Sequence, residues 1–246
     1  MKLRISGFLK RSAPTIIFAS IVACGPGKNS THKVVNGSLA KDDAYPEVFA
    51  FYSASPTHPN FCTAVLVGPS VLLTAAHCVY GSEAFHINFV GETFQAQSIV
   101  VNQNFSFRDN NGVNGKDLAV ITLDVELDVR AAEIYLGPVE KGLEVTIVGF
   151  GLNDNITNIG GGRKRIGKNS LISVKDTLGI LGSAQNSTGN GNKASTGKGD
   201  SGGPLYIDGK VAGITTGGAT VGLSSFSSYV NLNSPESRRF LKSQGL

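Results

Sequence analysis

Residues 199–204 read Gly-Asp-Ser-Gly-Gly-Pro and place a serine inside a glycine-rich turn just ahead of an apolar run at 205–207. The two glycines and the proline after Ser201 oppose a helix, so a strand is expected to follow the turn. Glycine also lets neighbouring backbone N–H groups point toward one place, which suits stabilisation of a developing negative charge. The hexapeptide therefore predicts a serine nucleophile on a turn that enters a β-strand.

Two further motifs precede this turn, and each puts a polar side chain beside an apolar run. Residues 74–78 read Thr-Ala-Ala-His-Cys, which places His77 at the end of a predicted strand. Residues 117–120 read Asp-Leu-Ala-Val, which places Asp117 at the start of another. The chain thus offers a serine, a histidine and a carboxylate at the ends of strands.

These three residue types together suit acyl transfer. A serine hydroxyl is a weak nucleophile at neutral pH and needs a base within hydrogen-bond reach, and histidine titrates in the right range. His77 would take the proton of Ser201 and deliver it to the leaving amine. A carboxylate must orient the imidazole; Asp117 fits this role, and Asp109 and Asp124 are alternatives.

In this order, and at spacings of 40 and 84 residues, the motifs resemble the chymotrypsin-like (trypsin-like) serine proteases over most of residues 34–246. The resemblance implies an endopeptidase that hydrolyses proteins or peptides through an acyl-enzyme and needs no cofactor. It assigns the triad to His77, Asp117 and Ser201, and the oxyanion hole to the amides of Gly199 and Ser201. The alternative from another class is an inactive binding protein on the same fold. Such proteins usually lose a triad residue, and none is lost here.

Residues 199–203 also match the G-x-S-x-G elbow of α/β-hydrolases, so an esterase has to be considered. That elbow requires a helix after the serine and the chain order Ser, acid, His. Here the residues after Ser201 oppose a helix, and the serine comes last. The esterase interpretation is therefore disfavoured.

The resemblance also implies a disulfide between Cys62 and Cys78, which would pin the loop that carries His77. Export into an oxidising compartment favours this pairing over two free thiols. Other disulfides of the family are missing, and Gly197 occupies the position of the cysteine beside the active serine. More mobile specificity loops are expected as a result.

The stretch His-Lys-Val-Val-Asn-Gly at 32–37 resembles the activation site of the family. Cleavage after Lys33 would free the ammonium of Val34, which would fold inward and pair with Asp200. A buried aspartate needs such a partner. Asn36 stands where the family usually has glycine, and a first strand is the alternative reading of the two valines.

The resemblance places the floor of the specificity pocket at Ser195, its substrate-binding edge at Thr216, Gly217 and Gly218, and its back at Ser227. An aspartate on the floor would select Arg or Lys, which Ser195 cannot do. A neutral pocket for aromatic or medium-sized apolar side chains is expected. Since such an enzyme does not favour lysine, another protease would have to cleave the activation site.

The fold predicted from the body of the chain is all-β. By resemblance it consists of two six-stranded antiparallel β-barrels with a C-terminal helix, residues 34–135 carrying His77 and Asp117 and residues 136–246 carrying Ser201. Apolar runs of strand length lie at 48–52, 64–67, 71–76, 85–90, 118–123, 143–150, 205–207 and 211–216.

Loops and turns separate these runs. Asp208-Gly209 predicts a hairpin, and Ser234 followed by Pro235 predicts the start of the C-terminal helix. Long polar loops rich in Gly and Asn are predicted at 102–115, 153–169 and 185–199.

The first 23 residues predict a signal peptide, because a cationic stretch precedes a short apolar run at 13–23. The sequence Ile-Val-Ala-Cys at 21–24 resembles a bacterial lipobox, which would attach a lipid to Cys24. Removal of Cys24 with an ordinary signal peptide or propeptide is the alternative. Residues 24–33 would then form a lipid-attachment and activation segment. An exported protein is expected, either secreted or held at the cell-envelope membrane through Cys24 until activation.

The charge of the chain argues against a nucleic-acid partner. The 246 residues carry 22 Lys and Arg against 18 Asp and Glu, a net charge of +4. Six of the cations fall in residues 1–33, which contain no acidic residue, so the body carries 16 cations against 18 anions. A body with a charge of about −2 is not a phosphate-binding surface. Four His and three Cys show no metal-ligand spacing.

Overall fold

The computed structural model describes residues 34–246 apart from 42, 55–59, 83, 90–91, 108–113 and 186–192. Fourteen strands and two helices are found among the described residues. In chain order they are β1 (Ser38–Leu39), β2 (Val48–Ala54), β3 (Asn60–Gly68), β4 (Val71–Thr74), α1 (Ala76–Val79), β5 (Ala84–Phe89), β6 (Glu92–Val101), β7 (Ala119–Leu123), β8 (Glu144–Gly149), β9 (Arg165–Ser170), β10 (Ser173–Val174), β11 (Thr177–Ser183), β12 (Pro204–Ile207), β13 (Lys210–Val221), β14 (Ser224–Asn231) and α2 (Pro235–Ser243).

The strands form two antiparallel sheets. The first is a closed barrel of six strands in the order β2-β3-β4-β7-β6-β5. The second has the order β1-β9-β8-β12-β13-β14-β11-β10, in which six longer strands are flanked by the two-residue strands β1 and β10. The predicted all-β class, its two antiparallel sheets and the C-terminal helix are confirmed. Of the two six-stranded barrels predicted, the first is a closed barrel of six strands, whereas the second is an eight-stranded sheet because the short strands β1 and β10 extend its edges.

Several strands come from sequences without a clear apolar run. β9 (Arg165–Ser170) begins inside the stretch predicted as a loop at 153–169, so that prediction is wrong for residues 165–169. Its pairing with β8 sets Arg165 opposite Gly149. β14 contains four serines, yet most of it is buried between β13 and β11. A strand with neighbours on both sides has its backbone groups satisfied by the sheet, so local composition matters less there.

The predicted hairpin and the predicted helix start are both present. Asp208 and Gly209 adopt positive φ angles of 48° and 75° between Ile207 and Lys210, which pair with each other. Ser234 caps α2, because its hydroxyl accepts a hydrogen bond from the amide of Ser237 at 3.1 Å. Over the part of the chain that the structure describes, no helix has the length and apolar character to cross a bilayer.

The core has three parts, and the middle part joins the two sheets. One apolar cluster fills the first barrel and another lies on the second sheet. Between them, Leu73 and Leu118 of the first barrel pack in one cluster with Tyr206, Ile214 and Val230 of the second sheet. The chain segments that carry the candidate site residues therefore lie beside a packed interface.

A disulfide joins Cys62 of β3 to Cys78 of α1 across a sequence separation of 16 residues. Both cysteines are buried in the core of the first barrel. The pairing implied by the family resemblance is confirmed, and it fixes the one-turn helix α1 to the barrel wall.

Removing this disulfide should destabilise the protein. In the chain-entropy model, a cross-link that closes a loop of this length lowers the conformational entropy of the unfolded state. This stabilises the folded state by about 3 kcal/mol. The double variant Cys62→Ala/Cys78→Ala should lose about that amount of unfolding free energy, measured by urea denaturation with linear extrapolation. The wild type unfolded under reducing conditions is the control and should match the variant. Equal stability of the oxidised wild type and the double variant would contradict the prediction.

Candidate active site

His77 is held in place by the elements on either side of it. β4 ends at Thr74, and the following turn of helix α1 carries His77 next to the disulfide at Cys78. The side chain of His77 is 22% exposed, so one side of the ring faces outward. The short helix and the cross-link therefore present the imidazole at the edge of the first barrel.

Asp117 lies immediately before Leu118 and β7, and its side chain is fully buried. Its Oδ1 accepts a hydrogen bond from the backbone N–H of His77 at 2.8 Å, and its Oδ2 lies 2.7 Å from Nδ1 of the same residue. Of the competing acids, Asp124 is exposed and Asp109 lies outside the described residues. The structure brings His77 together with Asp117.

This contact has a consequence for the proton on the imidazole. A buried carboxylate accepts hydrogen bonds, so Nδ1 carries the proton in the neutral ring. Nε2 is then left with a lone pair and lies 3.7 Å from Sγ of Cys78. The arrangement prepares Nε2 as the basic nitrogen of the site.

Thr216 of β13 supplies a further contact to Asp117. Its hydroxyl donates to Oδ2 of the carboxylate over 2.5 Å, and the residue itself is buried. The sequence motif placed Thr216 at the edge of the specificity pocket and gave no sign of this role, because its partner lies 99 residues away. The Asp117 carboxylate is thus bound by groups from both sheets.

The turn at 199–204, called here the nucleophile turn, is attached to the first barrel through Thr63 of β3. The backbone N–H of Thr63 donates to the carbonyl of Ser201 at 2.8 Å, and its hydroxyl donates to the carbonyl of Gly199 at 2.8 Å. A Cβ built on Gly202 would lie 3.0 Å from the backbone nitrogen of Ala75, two residues before His77. Ser201 therefore lies on a turn packed against the segment that carries His77.

The amides assigned to the oxyanion hole lie on this same turn. Gly199 has a φ of 98°, which L-residues with side chains rarely adopt, and a Cβ there would come within 2.8 Å of the ring of Phe61. Among the residues that the structure describes, neither the amide of Gly199 nor that of Ser201 has a hydrogen-bond acceptor. Both donors are available to a substrate.

Asp200 is the second buried carboxylate of the site, and it is only 2% exposed. Its two oxygens accept from the amides of Gly151 at 2.7 Å and Gly197 at 2.8 Å. Burial raises the pKa of Asp200 to about 6, while these two amides and then the charge of Arg165 act to lower it. The ionised form is therefore held at a cost in free energy.

The predicted activation site, residues 32–37, is described by the structure only from Val34 onward. Lys33 lies outside the described residues, as does Cys24. Val34 and Val35 are buried on the second sheet, where the carbonyl of Val35 accepts from the amide of Ser195 at 3.1 Å. Asn36 has a φ of 60°, a left-handed conformation that asparagine adopts more readily than most residues. Asparagine can therefore replace the family's glycine at this turn.

A cavity of about 240 Å³ lies beside Ser201. Its lining includes Gly217 and Gly218, which the family resemblance assigns to the substrate-binding edge. Ser195 and Ser227 lie behind the lining, because the Ser195 hydroxyl donates to the carbonyl of Ser183 at 2.7 Å and the Ser227 hydroxyl accepts from the amide of Thr196 at 2.9 Å. Gly197, noted in the sequence as the position of a missing cysteine, also lines the cavity. The remaining lining residues, which the sequence did not single out, are Asn155, Asn158, Thr196, Lys198, Thr215, Ala219, Thr220 and Ser225.

Asn155 connects the walls of this cavity. Its side-chain amide donates to the carbonyl of Thr196 at 3.0 Å and to the hydroxyl of Ser225 at 3.3 Å, and its backbone N–H donates to Ala184 at 3.0 Å. A Cβ built on Gly197, the position of the missing cysteine, would lie 3.0 Å from Oδ1 of Asn155. Hydrogen bonds from one asparagine thus cross-link the region where the family resemblance leads us to expect a disulfide.

The side chains of Cys62, His77 and Cys78 converge within 4.8 Å of one another. Metal ions bind cysteine as the thiolate, and the two sulfurs here are bonded to each other. The cluster is a disulfide beside an imidazole.

The two-sheet architecture defines the chain as a chymotrypsin-fold protein. It superposes on the solved structure of neuropsin, described as a serine protease expressed in the limbic system of mouse brain. The TM-score is 0.68 at 18% sequence identity, and the match covers 86% of this chain and all of neuropsin.

Sequence comparison identifies the family within this fold. The profile of the trypsin family matches residues 34–234, so the chain belongs to the trypsin family. It is 30% identical to brachyurin of Leptuca pugilator, covering 77% of this chain and 88% of brachyurin. It is also 28% identical to a trypsin of Saccharopolyspora erythraea, covering 75% of this chain and 86% of that trypsin.

The hydrogen bond from Thr216 to Asp117 generates a prediction. Thr216→Val removes the hydroxyl and keeps the size of the side chain, so the carboxylate loses one donor. Hydrolysis of a peptide substrate should slow about tenfold in kcat with little change in KM, because the hydroxyl does not face the substrate cavity. Thr216→Ser is the matched control and should retain most of the activity. Equal rates for the valine and serine variants would contradict the assignment.

Proposed function

We propose that this chain is an exported serine endopeptidase that cleaves proteins or peptides through Ser201, His77 and Asp117. Its membership of the trypsin family supports peptide hydrolysis in general. The assignment of roles rests on one observation above all. The buried carboxylate of Asp117 contacts Nδ1 of His77 at 2.7 Å, and the nucleophile turn packs against the same segment.

The proposed reaction proceeds in two halves. Nε2 of His77 takes the proton of the Ser201 hydroxyl as its oxygen attacks the scissile carbonyl carbon, and the imidazolium then protonates the leaving amine. Water repeats the sequence on the acyl-enzyme and releases the acid. Asp117 stabilises the imidazolium, and the amides of Gly199 and Ser201 bind the oxyanion in each tetrahedral intermediate.

A fluorophosphonate probe tests this proposal directly, because it reacts with a serine hydroxyl only when a base has activated it. The protein should be labelled at Ser201, identified by peptide mass, and the Ser201→Ala variant should not react. Removal of the histidine in His77→Ala should slow peptide hydrolysis by about 10⁶-fold, and labelling of Ser201 should slow strongly with it.

The same experiment separates the enzyme from an inactive binding protein on this fold. A folded, correctly processed chain that is not labelled and cleaves no peptide would overturn the proposal. Labelling of the Ser201→Ala variant at another residue would also overturn the assignment of the nucleophile.

We further propose that the enzyme is made as a zymogen that another protease activates after Lys33. The new ammonium of Val34 would pair with Asp200 and order the nucleophile turn. Two observations support this. Val34 is buried within the second sheet, and the Asp200 carboxylate is buried with a raised pKa, so a nearby cation would stabilise its charged form.

The pKa of Asp200 makes the activation proposal testable. A pKa raised from 3.8 to about 6 means that the folded chain binds the proton of Asp200 more tightly than the unfolded chain does. The contribution of this group to the free energy of unfolding is therefore fully present below about pH 4 and is lost as the pH rises through 6. The loss for the uncleaved chain amounts to about 3 kcal/mol. A paired ammonium lowers the pKa of Asp200, so the advantage of the cleaved form in unfolding free energy should grow between about pH 4 and about pH 7.

The comparison requires two matched proteins, the form beginning at Val34 and the uncleaved Lys33→Gln variant. Peptide hydrolysis should be at least about tenfold faster in the cleaved form, and Asp200→Asn should abolish the pH-dependent difference in stability. An uncleaved chain that is as active and as stable as the cleaved form across this pH range would contradict the proposal.

Export and anchoring complete the proposed function. The disulfide supports passage through an oxidising compartment. Cys24 lies before Lys33 in the chain and would carry a lipid, so activation would release the protease from the membrane. Intact-mass analysis should find the lipid on the uncleaved chain and not on the active form.

A further inference from the structure

We propose that the cavity beside Ser201 selects acidic side chains, with Lys198 as the residue that sets the preference. This inference rests on the proposed endopeptidase function, and it concerns the side chain on the acyl side of the bond that is cut. The sequence predicts a neutral pocket for aromatic or medium-sized apolar side chains, and the present proposal replaces that expectation with a preference for negatively charged side chains.

The first reason is the polarity of the cavity wall. Apart from glycines and Ala219, the lining consists of side chains with amide, hydroxyl or ammonium groups. An aromatic or aliphatic side chain would cover those polar groups of the wall that have no partner within the protein, which costs free energy. A side chain that accepts several hydrogen bonds fits this wall better.

The second reason is that several polar side chains expected to line the pocket are already hydrogen-bonded within the protein. Ser195 and Ser227, the expected floor and back, are fully buried, with hydroxyls bonded to the backbone. The hydroxyl of Thr216 donates its hydrogen bond to Asp117. Thr215 donates its hydroxyl to the carbonyl of Gly203, and Asn155, Thr220 and Ser225 are hydrogen-bonded within the wall. The side chains of Asn158 and Thr196 remain to meet a substrate, and together with Lys198 they form a different pocket from the one predicted.

The third reason is the sign of the charge. Among the described residues that line the cavity, Lys198 is the only one with a formal charge. It directly precedes Gly199 in the nucleophile turn and is solvent-exposed, so its flexible stem can bring the ammonium over the mouth of the cavity.

The acids that neighbour lining residues in the chain are engaged elsewhere. Oδ1 of Asp154 accepts from the amides of Ile156 and Thr157 of its own loop at 2.8 Å each. Asp200 is buried behind Gly197, where two amides bind it and Arg165 offsets its charge. A carboxylate entering the cavity therefore meets a cation at the mouth and neutral hydrogen-bond donors within.

The size of the effect follows from the exposure of Lys198. An exposed pair of opposite charges contributes up to about 1 kcal/mol, which corresponds to a preference of about threefold to fivefold. The preference should weaken as salt rises from about 0.02 M to about 0.5 M, because solvent-exposed charges are screened.

The test uses the active form beginning at Val34 and two pairs of peptide substrates that are isosteric within each pair, Glu against Gln and Asp against Asn. In the wild type, kcat/KM should favour the acidic member of each pair by about threefold to fivefold at low salt. Lys198→Met should abolish the preference, Lys198→Arg should keep it, and Lys198→Glu should reverse it. Lys141→Met, which removes an exposed lysine that does not line the cavity, is the matched control for net charge and should behave like the wild type.

The outcomes distinguish this inference from the function on which it rests. If the fluorophosphonate probe labels Ser201 and peptides are cleaved, but the acidic and neutral substrates are equal in every variant, the acidic preference is wrong and the endopeptidase stands. Faster cleavage of aromatic substrates than of all four peptides would also overturn it. If the probe does not label Ser201 and no peptide is cleaved, the endopeptidase proposal itself fails.

Discussion

The buried carboxylate of Asp117 is the constraint on which the site depends. A charge removed from water is tolerated only when hydrogen bonds or opposite charges compensate it, and loss of one hydrogen-bond donor to such a charge costs about 1.5–3 kcal/mol. Here the compensation comes from the backbone and ring of His77 in the first barrel and from Thr216 in the second sheet. The carboxylate consequently holds the imidazole in one orientation and ties the two sheets together at the same point.

A second buried carboxylate, Asp200, is accommodated in another way. It accepts two backbone amides directly beside the nucleophile turn, and burial still leaves its pKa at about 6. Close packing explains the glycine on the facing segment, since a Cβ on Gly151 would lie 2.6 Å from the carboxyl carbon. The incomplete compensation of Asp200 makes the order of this turn sensitive to any nearby positive charge, which is the physical basis of the proposed activation.

Much of the fold and the candidate site could be predicted from short stretches of sequence. The hexapeptide at 199–204, the disulfide at Cys62 and Cys78 and the hairpin at Asp208-Gly209 all depend on local chemistry or on a family motif. The strands that were missed, such as β9 and β14, have polar or mixed sequences. They are strands because neighbours on both sides satisfy their backbones, and those neighbours are distant in the chain.

By itself, the sequence determined the residue types that carry the chemistry, their order and the β-rich class, because these depend on local pattern and on the backbone freedom of glycine. Only the tertiary structure decided which groups face which. It directed the Thr216 hydroxyl to Asp117 across 99 residues, turned Ser195 and Ser227 away from the cavity, and put Lys198 and Asn155 on the cavity wall. Hydrogen-bond partners and cavity walls arise from packing between sheets, and packing has no signature in a single stretch of chain.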